Sequence, residues 1–421
     1  MPESLDFRIL QRLSRIPTAS FYEGFVNAEL QAIYREQFAG EPKMTARVDT
    51  WNNAIWHYQG DPNRTNPKSI ANVVHTDHPA FHLTRLHPAI LWAKMMGGLN
   101  PEIMVGSPLD LHTSDTKYHS KGSIDRVVDE AEGNPSGRYV VITDSPLPQN
   151  NFAFATLRFK PGERELVRDT DTRDTSFIGN RLKSPVMDDF SAIAMSIAAL
   201  REIVDQKLPV DVYTVFHRAE EVGLLGAHAI ALERGLPHDT FVFSIENSSY
   251  KGKRKQDGPV EELAKMGGGI IIRTGDKTIP EYDPAAITLL RESTPLLEGH
   301  LTQERLMTGG TCEAGIYGAH GYRAAGIAVP LTFYHNNGAL EGIKHCVPEE
   351  IDERDFHAGT ALMVAAAQTL SSRPELFGEF KPSPPTEAQQ TLRNRVDARL
   401  NAYFNEGLWD SISRMPVESY S

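Results

Sequence analysis

The chain has 421 residues, 40% of them hydrophobic and 23% charged, and a formal net charge of −12. The length suits two or three domains of an ordinary folded protein, and the acidic balance excludes nucleic acid as the main partner. No apolar run reaches the roughly 18 residues of a membrane span, the Met-Pro-Glu-Ser-Leu-Asp start has no signal-peptide pattern, and Cys312 and Cys346 are too few for a disulfide scaffold, so a cytoplasmic protein without membrane contact is expected.

Residues 5–38 carry helical spacing, first in Leu5, Ile9, Leu10, Leu13 and Ile16, then in Phe25, Leu30, Ile33, Tyr34 and Phe38, with Pro17 ending the first run. Residues 54–58 and 69–74 read as strands, and the second runs straight into His75-Thr76-Asp77. From 82 to 176 the texture changes to short alternating segments. Turn signals break them at Gly97-Gly98, Gly106-Ser107-Pro108, Gly122, Asn134-Pro135, Pro146 to Asn151 and Pro161-Gly162. That pattern predicts a small β-domain, inserted into a larger α/β domain.

After 180 the α/β rhythm returns. Residues 191–204 form an apolar, buried helix. Strand 210–216, a helix at 227–234 and strand 241–245 follow, with further strands at 270–272 and 325–331 and helices near 284–298 and 350–371. A Pro-rich linker at 372–385 leads to a C-terminal helix at 386–405. The expected architecture is α/β, a mixed central sheet flanked by helices with an inserted barrel-like β-domain. Residues 1–81 and 177–375 would form the catalytic domain, 82–176 the insertion, and 376–421 a helical extension.

Acids and histidines collect at strand ends and at the mouth of one helix. His75 and Asp77 follow one strand, Glu220-Glu221 another and Glu246 a third; Asp188-Asp189 open the 191–204 helix, and His345 precedes the last core helix. Ligands of α/β proteins bind beyond the carboxyl ends of the strands. Adjacent acids repel unless a cation or a shared proton relieves them. Imidazole and carboxylate are zinc ligands, and two ions about 3.5–4 Å apart can share a water whose pKa falls towards neutrality. A neighbouring carboxylate would take its proton and return it to the leaving amine. In His75-x-Asp77, the metal takes one ring nitrogen and a carboxylate holds the other.

Taken together, these segments resemble the co-catalytic zinc metallo-aminopeptidases. The likeness is to the branch of glutamyl, deblocking and tetrahedral aminopeptidases, with a relation to the aspartyl aminopeptidases. The likeness covers residues 5–370. It rests on Lys183-Ser184-Pro185-Val186-Met187-Asp188-Asp189, on Ala219 to Ala227, on Gly97-Gly98-Leu99-Asn100-Pro101 to His112, and on Gly309-Gly310-Thr311. The resemblance implies that His75, Asp188 and Glu246 hold one metal, with Asp188 bridging to a second held by Glu221 and His345. It implies Glu220 as general base and acid, Asp77 as the residue that orients His75, and a cis bond between Asp188 and Asp189. Glu246 stands where that branch has Asp, and Phe190 where it has Arg.

His345 is preferred over His335 as the last ligand, because Val-Pro-Glu-Glu-Ile-Asp follows it and leads into the final helix. His78 and Cys312 are candidates to contact substrate. His57, His112, His119, His217, His228 and His320 read as core or surface residues, and Cys346 as a packed one. The expectation is an aminopeptidase that uses two divalent ions, zinc before cobalt or manganese, to act on peptides through a shared hydroxide. A homo-oligomer between dimer and dodecamer is implied. The alternatives are a related metal-dependent amidohydrolase, deacylase or carboxypeptidase, and a catalytically inactive scaffold or peptide-binding protein.

Overall fold

A computed structural model describes residues 3–60, 63, 68–87, 89–113, 119–129, 138–145, 152–170, 180–254, 260–340, 343–380, 384–406 and 408. Asn134-Pro135, Pro146 to Asn151 and the end of the C-terminal extension lie outside them.

The strands that read as apolar runs are the ones buried on both faces. Ser69–His75, Asp211–His217, Thr240–Ser249 and Arg323–Thr332 lie side by side and parallel at the centre of the main sheet. Every residue of Ser69–His75 is buried, as expected of a parallel strand covered on both sides. The flanking strands are antiparallel. Ala54–Tyr58 and then Met44–Val48 extend one edge. On the other side Glu349–Asp352, Arg181–Ser184 and Val167–Asp169 follow Arg323–Thr332. Ile270–Asp276 also pairs with Arg323–Thr332 and carries Thr302–Met307.

Helices flank the sheet in two groups. α1 (Leu5–Leu13) and α2 (Gly24–Phe38) precede it. α3 (Met187–Asp205) packs with α1 and with α7 (Glu353–Ser372), and α7 packs with α5 (Pro284–Ser293). α4 (Leu225–Leu232), α6 (Glu313–Ala319) and α8 (Glu387–Asn405) form the second group. α3 is apolar on nearly all sides, and only a fully covered helix can be. The single helical reading of 5–38 divides at 14–23, and that loop returns towards the sheet: Thr18 Oγ1 donates to the Thr76 carbonyl at 2.7 Å.

The inserted β-domain is a closed barrel of Ala80–His87, Ile90–Met96, Pro108–Thr113, His119–Asp129, Arg138–Thr143 and Phe152–Leu157. It has its own core, built on Phe81, Leu91, Leu109, Tyr139 and Val141. The barrel ends earlier than the 82–176 span expected for the insertion, because Val167–Asp169 pairs with Arg181–Ser184 of the main sheet. Tyr22 joins the lobes: its hydroxyl meets His82 Nδ1 at 2.7 Å and its ring stacks on Phe154 at 4.9 Å. No helix among the described residues is long and apolar enough to cross a membrane.

Candidate metal centre

The parallel register brings the chemistry together. His75 ends its strand opposite His217, and the turn that follows His217 carries Glu220 and Glu221. Glu246 lies late in the next parallel strand, opposite Ala328. Arg323–Thr332 runs into Phe333 and His335, both with left-handed backbone (φ 58° and 53°). Asp188 and Asp189 open α3, joined by a cis peptide bond.

His75 Nε2 lies 3.4 Å from Asp188 Oδ1. His335 Nε2 lies 3.7 Å from Asp188 Oδ2 and 3.3 Å from Glu221 Oε1. Asp188 therefore stands between the two rings, one oxygen towards each. Ligand atoms of His75, Asp188 and Glu221 all fall within 4.8 Å of one another. Ligands about 2.0–2.2 Å from a tetrahedral ion sit roughly 3.4 Å from each other, so these spacings suit a divalent ion. Asp188 Oδ1, Asp189 Oδ1, Glu221 Oε1 and His335 Nε2 are buried without a hydrogen-bond partner. Orphaned polar atoms of this kind need an explanation, and a cation held among Asp188, Glu221 and His335 would supply one for their atoms.

Electrostatics point the same way. Burial disfavours charge on His75, yet Asp189, Asp188 and Asp77 hold its pKa well above the ordinary value. His335 is buried too, and Glu221 and Asp188 still raise it to about 10. Burial, reinforced by neighbouring acids, pushes Glu220 and Glu246 well above the carboxylate range. The histidine shifts describe acids drawing in positive charge, and the glutamate shifts come first from burial. A divalent ion would meet the same demand.

The orienting contacts differ in part from the sequence reading. His75 Nδ1 meets the main-chain carbonyl of Asp77 at 3.1 Å, while Asp77 Oδ1 is 3.6 Å away, too far for a hydrogen bond. The Asp77 carboxylate instead accepts from the main-chain nitrogens of Glu220 (3.0 Å) and Glu221 (3.1 Å) and from Ser20 Oγ (2.6 Å). It fixes the loop that presents both glutamates. His335 Nδ1 meets the Gly98 carbonyl of the barrel lobe at 3.0 Å. Either backbone carbonyl leaves Nε2 as the ring nitrogen facing the acids.

It is the ring of His335, and not that of His345, that meets Asp188 and Glu221. Asn337–Leu340 pairs antiparallel with Ile343–Cys346, with His345 opposite Gly338. These two paired strands lie between the strand end that delivers His335 and the next sheet strand, so the later histidine is carried out along them. The signal for His335 was present: it follows the predicted strand 325–331, as His75 follows 69–74.

His78 is buried behind the centre, with Nδ1 at 2.5 Å from the Asp188 carbonyl and Nε2 at 3.1 Å from Asn336 Oδ1. These contacts tie His78 to the backbone of the centre. Cys312 is buried, its sulfur 3.1 Å from Tyr282 Oη. Glu246 is buried, with Oε1 3.4 Å from Ser244 Oγ. Glu313 was missed by the sequence reading, as was Glu349. Glu313 also accepts from Ser244 Oγ at 2.7 Å and lies 3.4 Å from His217 Nδ1. Glu349 accepts from the main-chain nitrogens of Asp188 (2.9 Å) and His335 (2.8 Å). A single carboxylate thus ties two of the converging residues together.

Residues 53–346, more than half of the chain, match the family described as M42 glutamyl aminopeptidase. The protein belongs to the M42 family. It is accordingly a hydrolase acting on peptides. No curated protein matches it in sequence. Its fold is similar to that of the TET1 peptidase of Pyrococcus horikoshii (20% identity, TM-score 0.64, covering 86% of this chain and 99% of that one). It is also similar to the TET aminopeptidase of a marine-sediment Thaumarchaeota archaeon (18%, 0.68, 89% and 99%). Yeast aminopeptidase 1 shares the fold as well (11%, 0.57, 89% and 99%). At these identities the likeness concerns the fold, and the M42 match carries the assignment to peptidases.

Proposed function

We propose that this M42 protein is a metal-dependent aminopeptidase with a pair of divalent ions, zinc before cobalt or manganese. His75, Asp188 and Glu246 would hold one ion, and Asp188, Glu221 and His335 the other. The observation that carries this reading is Asp188, set between two imidazoles with orphaned ligand atoms around it. When bound, such ions polarise the scissile carbonyl and lower the pKa of attacking water. Glu220 would take the proton from that water and pass it to the leaving amine. Asp77 holds the Glu220 backbone in place for that transfer, and the lone pairs of His75 and His335 are aimed by carbonyls behind each ring. The assembly described for the Pyrococcus TET1 peptidase, a tetrahedron or a large octahedral shell, supports a homo-oligomer here. Light scattering on the purified protein would show particles of several chains.

The structure also favours an acidic N-terminal residue as substrate. A cavity of about 50 Å³, lined in part by Glu246, Ser248, Arg273, Thr311 and Tyr334, adjoins the centre. At about 10–15 Å³ per water-sized site, it suits a side chain of a few heavy atoms. Arg273 is 3% exposed. Its Nη1 donates to Ser248 Oγ at 3.2 Å, its Nε has no partner, and among the described residues no carboxylate pairs with it. Glu246, and after it Asp276, act on it from a distance, the Asp276 oxygens being engaged by Thr278 N, Ile279 N and Tyr282 Oη. A buried cation without a counter-ion is costly, and a substrate carboxylate would supply one. Gly326 makes the room: a Cβ there would lie 3.0 Å from the Arg273 stem.

The test is a library of short peptides, half with free and half with acetylated N-termini, incubated with the zinc-, cobalt- or manganese-loaded protein and read by mass spectrometry. Loss of single N-terminal residues from the free half, abolished in Glu220→Gln, is expected, with Asp or Glu leading. Arg273→Met should lose the acidic preference and keep activity on neutral residues. Release of acyl groups or C-terminal residues would point to a deacylase or carboxypeptidase. No turnover with any metal would return the protein to a peptide-binding role.

A further inference from the structure

α8 lies beyond residue 346, where the family match ends. It starts with a complete capping box: Thr386 Oγ1 accepts from Gln389 N, and Gln389 Oε1 accepts from Thr386 N. That arrangement fixes where the helix begins. Leu392, Val396 and Leu400, four residues apart, are buried on one face. Leu392 sits where a side chain on Gly315 of α6 would have to go. Asp397 pairs with His228 of α4 at 2.7 Å. Thus far α8 is a helix covering two others.

Its second half reaches other elements. Arg399 lies against Gly223, in the turn that carries Glu220 and Glu221. A Cβ on Gly223 would fall 2.6 Å from Arg399 Nη1, so Arg399 would have to move aside, and the φ of +125° favours glycine there. The nitrogen of Gly223 donates to the Glu220 carbonyl at 2.7 Å, so Arg399 presses on the same tight turn as the candidate base. Tyr403 meets the ring of Phe21 edge-on at 5.0 Å. Phe21 follows Ser20, which donates to the Asp77 carboxylate. Phe404 meets Trp51 at 5.9 Å, and the Trp51 carbonyl accepts from Arg218, at the base of the glutamate turn. Lys94 of the barrel lobe lies over the Tyr403 ring and pairs with Glu406. Its strand, Ile90–Met96, leads into Gly98, whose carbonyl holds His335.

We infer that α8 is a clamp that positions the metal centre, with Arg399 and Tyr403 as positioning residues and the Lys94–Glu406 pair tying in the barrel lobe. The inference rests on the metallopeptidase reading only for what the centre does. The clamping is independent of it. One rigid helix spans the glutamate turn, the Ser20 loop and the approach to Gly98, three separate segments that each orient a residue at the centre. A helix that only covered apolar surface would need its contacts with α4 and α6 and nothing beyond them. A helix is stiff enough to keep these segments at fixed spacing, and outer contacts that orient ligands typically change metal affinity about 10–100-fold when removed.

The experiment compares the full chain with Arg399→Ser/Tyr403→Ala and with a chain ending at residue 385. Hydrogen exchange would be followed in segments 18–23, 94–98 and 218–225, and zinc retention by competition with a chelator. Faster exchange in those segments and about tenfold or greater loss of zinc affinity are expected in the double variant. Its melting temperature should change little, because Leu392, Val396 and Leu400 still seat the helix. Lys94→Glu should give a smaller effect of the same kind, and adding Glu406→Lys should restore it. Faster exchange confined to α4 and α6, with 218–225 unchanged, would overturn the inference. If the shortened chain does not fold, the double variant and the charge swap still decide. If the full chain retains no zinc, the metallopeptidase reading fails, and the exchange pattern still tests the clamp.

Discussion

At the scale of single residues, the centre is a competition for positive charge. Glu220 sits among Glu221, Glu313 and Asp77, and burial with their charge pushes its carboxyl up. General acid–base catalysis contributes typically about 10²–10⁴-fold. Glu220→Gln should therefore lower kcat by about that factor and leave zinc retention near normal; a variant that keeps more than a tenth of the rate would remove Glu220 from the mechanism. The two late histidines separate in the same assay. His335→Ala should lose about tenfold or more in zinc affinity, and His345→Ala, on the strand opposite Gly338, should lose little. The reverse order would restore His345 as ligand. His75, Asp188 and Glu221 were legible because a predicted strand or helix end pointed at each. His335 was passed over because proximity to Val-Pro-Glu-Glu-Ile-Asp outweighed proximity to a strand end. Chain spacing alone does not reveal that Asn337–Leu340 and Ile343–Cys346 pair with each other. Glu313 and Glu349 gave no local signal at all, since their roles exist only once α6 and Glu349–Asp352 have docked.

At the scale of elements, burial pattern decided what could be read. Ser69–His75 is buried throughout and α3 is mostly buried; the strand was expected at 69–74 and the helix at 191–204, inside an α3 that starts at Met187. Met44–Val48 has an alternating, half-exposed pattern, as an antiparallel edge strand does, and α6 is a helix of only seven residues. Neither rises above its surroundings in sequence. The seat of α8 contains a buried histidine pair, His228 Nδ1 and His320 Nε2 at 3.2 Å. Asp397 lies beyond His228, and Arg393 and Arg234 are close by. Burial, then Arg393 and His228, depress His320 from 6.5 to about 3. Burial likewise depresses His228, although Asp397 opposes it. Both rings therefore protonate more readily in the unfolded chain than in the folded protein. Their contribution to stability is therefore complete above about pH 6.5 and is lost as pH falls from there towards 3. Thermal melts across that window should show the full chain losing stability more steeply than His320→Gln. Equal slopes would mean that the pair carries no such linkage.

At the scale of the whole molecule, two lobes, a C-terminal helix and the candidate metal ions act on one another. Acids are gathered at the carboxyl ends of the parallel strands in a chain already at −12, and bound cations would offset that concentration. A ligand present at 100 times its dissociation constant stabilises a fold by about 2.7 kcal/mol. Prolonged chelation should accordingly lower the melting temperature by several degrees, and zinc should restore it. A chelated protein that melts like the loaded one would argue that no ion contributes to the fold.

By itself, the sequence determined the class of this protein. A run of buried strands, acids and imidazoles at their carboxyl ends, and a turn-rich interruption were enough to imply an α/β fold with an inserted β-domain and a candidate metal site, and the resemblance of a few segments to the metallo-aminopeptidases supplied the peptidase. Hydrophobic periodicity and strand-end placement are local properties, and a sequence displays them directly. The tertiary structure decided which partners meet across long chain separations. It set Asp77 to hold the glutamate turn, Gly98 of the barrel to aim His335, Glu349 to tie Asp188 to His335, and the far end of α8 to brace them. Those choices depend on register and docking, where a shift of one strand or strand pair exchanges one histidine for another.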